Sequence, residues 1–396
     1  MPLYVGACAV PDGGLFRAAR FRDAHLYGRY TSLLLHGQIP YRDFFMEYPP
    51  GALVAFVPAD LAGGAHYNAV FKALMTLCGA VTLVLVALSL VRLGTTSLRL
   101  WTGVLLVALS PIALGPISLN TYDAWPALLT VAALFALLTG RELLAGALLG
   151  LGFAAKVYPV VLLPLALVWV WRLRGRRRAA AVAFTFAALA LVVTIPFLAL
   201  APHGLLESFR AQAARGVQIE SLGAQVLVAA DHAGLYTVHV VHHTHGAVTY
   251  DIGGVPARVL GAVSSLLQVA AAALVAWVYA RGRDDPSRLA VAFAAAVAGF
   301  LAFSRFFSPQ YLVWLIPLVA VVDSVLGWLL LALALALDQV WFFHYRSIVE
   351  LGGRSWAVLL RDMLVVVLFV VLLRRDAAKD EHAVVLEHEL PLGVRS

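Results

Sequence analysis

The side chains best suited to chemistry lie in residues 20–51. Three carboxylates, Asp23, Asp43 and Glu47, alternate there with Arg20, Arg22, Arg29 and Arg42, and Tyr27, Tyr30, Tyr41 and Tyr48 stand among them. Pro49-Pro50 keeps the stretch from running straight on into a helix. Carboxylates beside aromatic rings can take up protons and hold hydroxyl groups, so this stretch has the make-up of a site built on a scaffold. The competing reading is a solvated loop whose charges pair with one another.

Lys156 is the second such feature. It sits between Ala154-Ala155 and Val157-Tyr158-Pro159, where two short apolar pieces meet. A lysine there is costly to bury, and a break inside an apolar segment is tolerated only where it is buried in protein or lines a cavity. Snorkelling of the ammonium to the membrane surface is the alternative.

The elements that must position these groups are apolar helices. Apolar residues make up 62% of the chain and charged residues 13%, and mean hydropathy is +0.88. Soluble domains carry about 45–50% and about 25% respectively, so this is a polytopic membrane protein of all-α class. The net charge of +7 comes from Arg clusters between apolar runs, which is a topology signal and not one for nucleic acid. Cys8 and Cys78 supply no disulfide framework. Apolar runs at 69–91, 100–117, 124–139, 143–155, 157–171, 179–200, 255–280, 289–303, 311–322, 325–343 and 356–373 predict about eleven spans or half-spans. The last two carry Asp338, Arg361 and Asp362 and are the least regular.

The chain therefore divides into an outer loop at 1–65, membrane helices at 66–201 with a broken hairpin at 156–159, a long polar loop at 202–254, membrane helices at 255–373 and a charged tail at 374–396. Placing Arg172–Arg178 in the cytoplasm puts every basic cluster between spans, and the C-terminus, on that side. The opposite side receives residues 20–51, Asn120–Asp123, the Lys156 break, 202–254, 305–310 and 344–354. The same alternation exports Arg17, Arg20, Arg22 and Arg29, which is disfavoured. The expectation is that a first span is missing ahead of this start.

The motifs also resemble a known family. Asp-Ala-His-Leu-Tyr at 23–27, Gly37, and Pro-Tyr-Arg-Asp-Phe-Phe-Met-Glu-Tyr-Pro-Pro at 40–50 are similar to the first outer loop of glycosyltransferase family 87. This is a group of polyprenyl-phosphate-sugar-dependent membrane enzymes of the C superfamily, common in actinobacteria. Ala-Ala-Lys-Val-Tyr-Pro at 154–159, Arg-Gly-Val-Gln-Ile-Glu-Ser at 215–221 and Ser-Pro-Gln-Tyr-Leu-Val-Trp-Leu-Ile-Pro at 308–317 resemble three later motifs of that family, in the same order.

The resemblance implies a glycosyltransferase C-type architecture and an inverting single displacement. A sugar, mannose in this reading with arabinose as the other option, would pass from a polyprenyl-phosphate donor to a hydroxyl of an outer-leaflet glycolipid or cell-envelope glycan. It implies Asp23 as the catalytic base, with Asp43 and Glu47 as further acidic candidates that orient the acceptor or pair with Arg42. Lys156, Tyr158, Arg215, Gln218, Glu220, Arg305, Gln310, Tyr27 and Tyr48 become the donor-phosphate and substrate-binding candidates. Asn120, Tyr122 and Asp123 face the same cavity in one reading. No cofactor and no metal are expected: His239, His242, His243 and His245 match no trusted metal spacing. The expected partners are the lipid-linked sugar, the acceptor and the bilayer, with no nucleic acid. A transporter or flippase, or a shortened inactive paralogue acting as a partner subunit, are the competing functions.

Overall fold

The computed structural model describes residues 1–13, 23–243 and 249–389. The first part of the chain forms α1 (Pro2–Gly13), α2 (Asp23–Leu35), α3 (Leu53–Asp60), α4 (Tyr67–Arg92), α5 (Ser97–Leu114), α6 (Ile117–Asn120), α7 (Ala124–Leu138), α8 (Glu142–Ala155), α9 (Leu163–Arg174) and α10 (Arg176–Leu200). Next come α11 (Pro202–Ala214), β1 (Val217–Gln218), α12 (Leu222–His232), β2 (Val240–His243) and β3 (Thr249–Ile252). The bundle resumes with α13 (Val255–Arg281), α14 (Pro286–Ala302), α15 (Leu312–Val321), α16 (Val325–Trp341), α17 (Tyr345–Val349) and α18 (Ser355–Glu389).

Each of the eleven apolar runs is a helix. Several helix starts follow local chemistry: the side chains of Thr96, Ser221, Asp285 and Ser324 accept backbone N–H groups of α5, α12, α14 and α16, satisfying donors that a helix start leaves open. Among the described residues six helices are long and apolar enough to cross a membrane, and the protein is a multi-pass membrane protein. The long α10 and α13 expose apolar faces, whereas the short α7, α14 and α15 are buried almost all round and form the core. Glycine spacing sets one close pair. A Cβ at Gly146 would stand 2.6 Å from the Val182 carbonyl oxygen of α10, and one at Gly150 2.2 Å from that of Phe186. Side chains at i and i+4 share a helix face, so α8 and α10 meet along these two glycines.

The structure departs from the sequence reading in two places. The described residues of 202–254 are not an open loop: they form α11, α12 and an antiparallel sheet of order β1-β3-β2, around a small core of Val217, Ala224, Val228 and Ile252. The described residues of 1–65 likewise include three helices, α1, α2 and α3. α1 packs against α5 and α4, with Tyr4 over Gly79, and Asp23 opens a helix. Arg17, Arg20 and Arg22 lie outside the described residues, and with Arg20 and Arg22 the alternative that they pair with Asp23; so does His245.

The charges of the last two spans point inward. Arg361 of α18 is fully buried and donates to Asp362 Oδ1 at 2.8 Å and to Asp338 Oδ1 of α16 at 3.3 Å. At one end of the bundle the basic clusters are cross-linked: Arg172 to Asp284, Arg174 and Arg178 to Glu142, and Arg99 and Arg375 to Asp323. Arg288 and Asp376 form a buried pair there. The other chemically interesting segments converge at the opposite end.

That convergence depends on Gly51. A Cβ on it would lie 2.5 Å from the Ala154 carbonyl carbon, so the acidic segment rests directly on the end of α8, two residues before Lys156. Gly51→Ala is expected to cost about 1–3 kcal/mol through overpacking and to push Glu47 away from Lys156. Thermal unfolding of the detergent-extracted protein should show the loss.

Candidate active site

A cavity of about 850 Å³ gathers side chains from eight chain segments, within the size range of small-molecule sites, about 300–1,000 Å³. Asp23, Tyr27, Glu47, Tyr48, Lys156 and Tyr158 line it, and so do Arg215, Gln218, Glu220 and Gln310. Ten of the twelve catalytic and substrate-binding candidates thus share one space, although they are up to 287 positions apart in the chain (310 − 23).

Asp23 is the first residue of α2, where the helix dipole favours negative charge. Its surroundings oppose this. Burial, then Glu47 and Asp123, and more weakly Glu220, push its carboxyl up to about 7, with Lys156 pulling the other way. A carboxylate poised near neutral pH is well matched to accept a proton. Tyr27 lies between the acidic segment and the bundle, its ring stacked on Phe56 at 4.2 Å and edge-on to Tyr48 and Tyr122 at 5.5 and 5.6 Å.

Lys156 ends α8 in an extended conformation, its N–H still donating to the Gly152 carbonyl at 2.8 Å, and Pro159 opens the next turn of helix. Its ammonium lies 2.5 Å from Asp123 Oδ1 and 4.5, 4.8 and 4.9 Å from the ring centroids of Tyr122, Tyr311 and Trp314. Trp314 Nε1 donates to the same Asp123 oxygen at 2.7 Å, while Asp123 Oδ2 finds no partner among the described residues. Asp123 could have capped α7 but makes no capping bond; its carboxylate serves the lysine instead. Tyr158 stacks flat on Trp314 at 4.1 Å and donates to the Pro126 carbonyl at 3.0 Å.

Arg215 reaches the cavity already engaged. It donates to both Asp251 oxygens, at 2.9 and 2.7 Å, and to Thr249 Oγ1 at 2.8 Å. Burial works against its charge, and the Asp251 pair more than offsets this, holding the guanidinium protonated. Glu220 is buried; burial pushes its carboxyl up, opposed by hydrogen bonds from Tyr345 and Ser308 and by Arg361.

Two candidates do not join the site. Asp43 is on the surface, bound to Arg42 at 2.9 Å and accepting the Ile39 N–H at 2.7 Å. These bonds hold its carboxyl below the usual range and shape a turn in which Tyr41 takes a positive φ of 67°. Asp43→Ala should leave the transfer rate within about twofold of the unmutated protein, as surface changes away from a site usually do; a transfer assay checks it. Arg305 does not line the cavity. Its guanidinium lies 5.2 Å from the Phe306 ring, and its carbonyl accepts the Gln218 N–H at 2.9 Å. Of Asn120, Tyr122 and Asp123, Tyr122 lines the cavity and Asp123 holds Lys156, while Asn120 donates to the carbonyl of Pro116, just ahead of its own helix. His242 stacks on Tyr250 at 4.6 Å and His243 lies 3.1 Å from Asp251.

The sequence reading passed over Tyr311, Trp314, Gln212, Tyr250 and Tyr345 as wall residues. Tyr311 and Trp314 sit three apart in the apolar run 311–322, which reads as ordinary packing. The arrangement as a whole offers ionisable carboxylates, a caged ammonium and aromatic faces in one space. It can hold a phosphate and sugar rings and remove a proton from a hydroxyl.

The family model of glycosyltransferase family 87 matches residues 45–309 of the chain, more than half its length. None of the curated proteins matches it. Among solved structures the chain is similar to ArnT from Cupriavidus metallidurans, determined bound to undecaprenyl phosphate. The TM-score is 0.47 at 14% sequence identity, over 95% of this chain and 77% of that one.

Proposed function

The chain belongs to glycosyltransferase family 87, and from that membership we propose that it moves mannose from a polyprenyl-phosphate donor to a hydroxyl of an outer-leaflet glycolipid or cell-envelope glycan. The cavity opens on the extracytoplasmic side and the cross-linked basic end, with the C-terminus, faces the cytoplasm, as the distribution of arginines favours. The observation that carries the reading is the meeting of Asp23 and Lys156 on one cavity wall, each within electrostatic reach of the other.

In the reaction the acceptor oxygen attacks the anomeric carbon from the face opposite the phosphate. The bond from that carbon to the phosphate oxygen breaks, and its electron pair leaves with polyprenyl phosphate. Asp23 takes the proton from the attacking hydroxyl, and Glu47 helps to orient that hydroxyl. The anomeric carbon passes through an oxocarbenium-like state. Lys156 offers fixed positive charge where negative charge builds on the leaving phosphate, and Arg215, held by Asp251, adds to it. The side chains Phe300, Phe342 and Phe343 on the cavity wall suit the first units of the polyprenyl tail.

The test is transfer of radiolabelled mannose from polyprenyl-phosphate-mannose to endogenous lipid in membranes carrying the protein. Labelled lipid that appears with the protein and is absent with Asp23→Ala is the expected result. No transfer from this donor, with equal expression shown, would overturn the mannose assignment; none from an arabinosyl donor either would overturn the proposed donor class.

A further inference from the structure

Arg361 does not line the cavity, yet it holds two pieces of its wall. Its guanidinium donates to the backbone carbonyl of Glu220 and, at 3.2 Å, to that of Phe307. Its Cζ lies 4.0 Å from the Phe307 ring centroid, and its remaining donors go to Asp362 and Asp338. Phe306 and Ser308, on either side of Phe307, line the cavity, and so does the Glu220 side chain. One buried guanidinium thus ties the turn after β1 to the loop before α15.

The patch it fixes differs in chemistry from the Lys156 end. The Glu220 carboxylate stands 3.3 Å from Gln218 Nε2 and accepts hydrogen bonds from Tyr345 and Ser308. Asp338 and Asp362 lie behind it with one oxygen each unpartnered among the described residues. Arg361 spends its donors on Asp362, Asp338 and two backbone carbonyls and stays out of the cavity lining, so this guanidinium is not offered to a phosphate. A carboxylate and a carboxamide beside a phenol ring suit neutral hydroxyl donors, because a charged acceptor makes the stronger hydrogen bonds and an aromatic ring covers an apolar face.

We propose that Glu220, with Gln218 and Tyr345, reads the hydroxyls of a sugar in the cavity, and that Arg361 is the positioning residue that sets Glu220 for it. This rests on the glycosyltransferase reading of the same cavity. The sugar is either that of the donor or that of the acceptor, and the experiment separates the two.

Purified full-length protein is assayed with polyprenyl-phosphate-mannose and octyl α-mannoside, as the unmutated chain, Glu220→Gln and Arg361→Lys. Losing one charged hydrogen bond to a bound sugar is expected to raise one KM by about tenfold. A rise for octyl α-mannoside alone places the acceptor sugar at Glu220. A rise for the donor, with the Kd of sugar-free polyprenyl phosphate unchanged, places the donor sugar there. Both KM values unchanged, or weakened binding of polyprenyl phosphate itself, would overturn the proposal. If Arg361→Lys does not fold, the neutral pair Arg361→Gln with Asp362→Asn replaces it, and an unmutated KM in that pair removes the positioning role. Direct calorimetric binding of the mannoside and of the mannosyl donor to Glu220→Gln reads the same contact without turnover. Absence of transfer then overturns the donor assignment, and weakened or unchanged sugar binding decides the present inference.

Discussion

Asp23→Asn is expected to lower sugar transfer by about 10²–10⁴-fold, the range for removing a positioned general base, while donor binding and fold survive. The pH dependence carries a second signature. The Asp23 carboxyl is pushed up to about 7 by burial and by the neighbouring Glu47 and Asp123, so it loses its proton near neutrality and only then can act as a base. In the unmutated protein kcat/KM should fall about tenfold per pH unit below about 7, and the Asp23→Asn remnant should lack this limb. Stability moves in the opposite sense. A carboxyl whose folded pKa exceeds its unfolded value costs stability as pH rises above the unfolded value, and the full cost is present above the folded one. Asp23→Asn should therefore raise Tm at pH 8 and leave it nearly unchanged at pH 4. A variant that keeps near-normal transfer and the same acid limb would move the base to Glu47, the other carboxylate of that segment on the cavity wall.

The bundle was legible because its signal is redundant: long apolar runs, Arg clusters between them and one lysine at a break each report the same alternation. The 202–254 region was not, since β1 is two residues long and its partner β3 lies more than thirty positions away, too short for any period-two pattern to show. Asp43 and Glu47 are four residues apart and look alike in sequence. They separate because Asp43 closes a turn onto Ile39 while the chain beyond it folds back over α11, where Ser208 donates to the Met46 carbonyl at 2.7 Å. Asp123 could be weighed but not assigned, because its partner Lys156 is thirty-three positions on and only the packing of α7 against α8 brings them together. Arg361 shows the reverse case. Charges in an apolar run looked like grounds for doubting a span, but here they pair with one another inside the bundle, Arg361 with Asp362 and Asp338.

Lys156→Met is expected to remove both stability and transfer, and separating the two losses tests what the lysine is for. The ammonium neutralises a carboxylate that is 1% exposed, so its removal leaves Asp123 with only the Trp314 N–H, and breaking a buried pair from one side costs about 3–5 kcal/mol. Adding Asp123→Asn removes the stranded charge and should restore Tm to near the unmutated value. If Lys156 served only to neutralise Asp123, the double variant would also recover transfer. If it stabilises the leaving phosphate, transfer stays down by about 10²–10³-fold, the usual effect of losing one such donor, and the donor KM rises. The second outcome is the expected one, because the ammonium has three donors and Asp123 takes one of them; the others are left with ring faces and the cavity, where phosphate oxygens are the better partners. Lys156→Arg should not rescue it. Three ring centroids within 5 Å of Nζ form a cage sized for a compact ammonium, and a planar guanidinium needs a wider, flatter space. An active Lys156→Arg variant would mean that charge alone matters there and that the aromatic cage is packing.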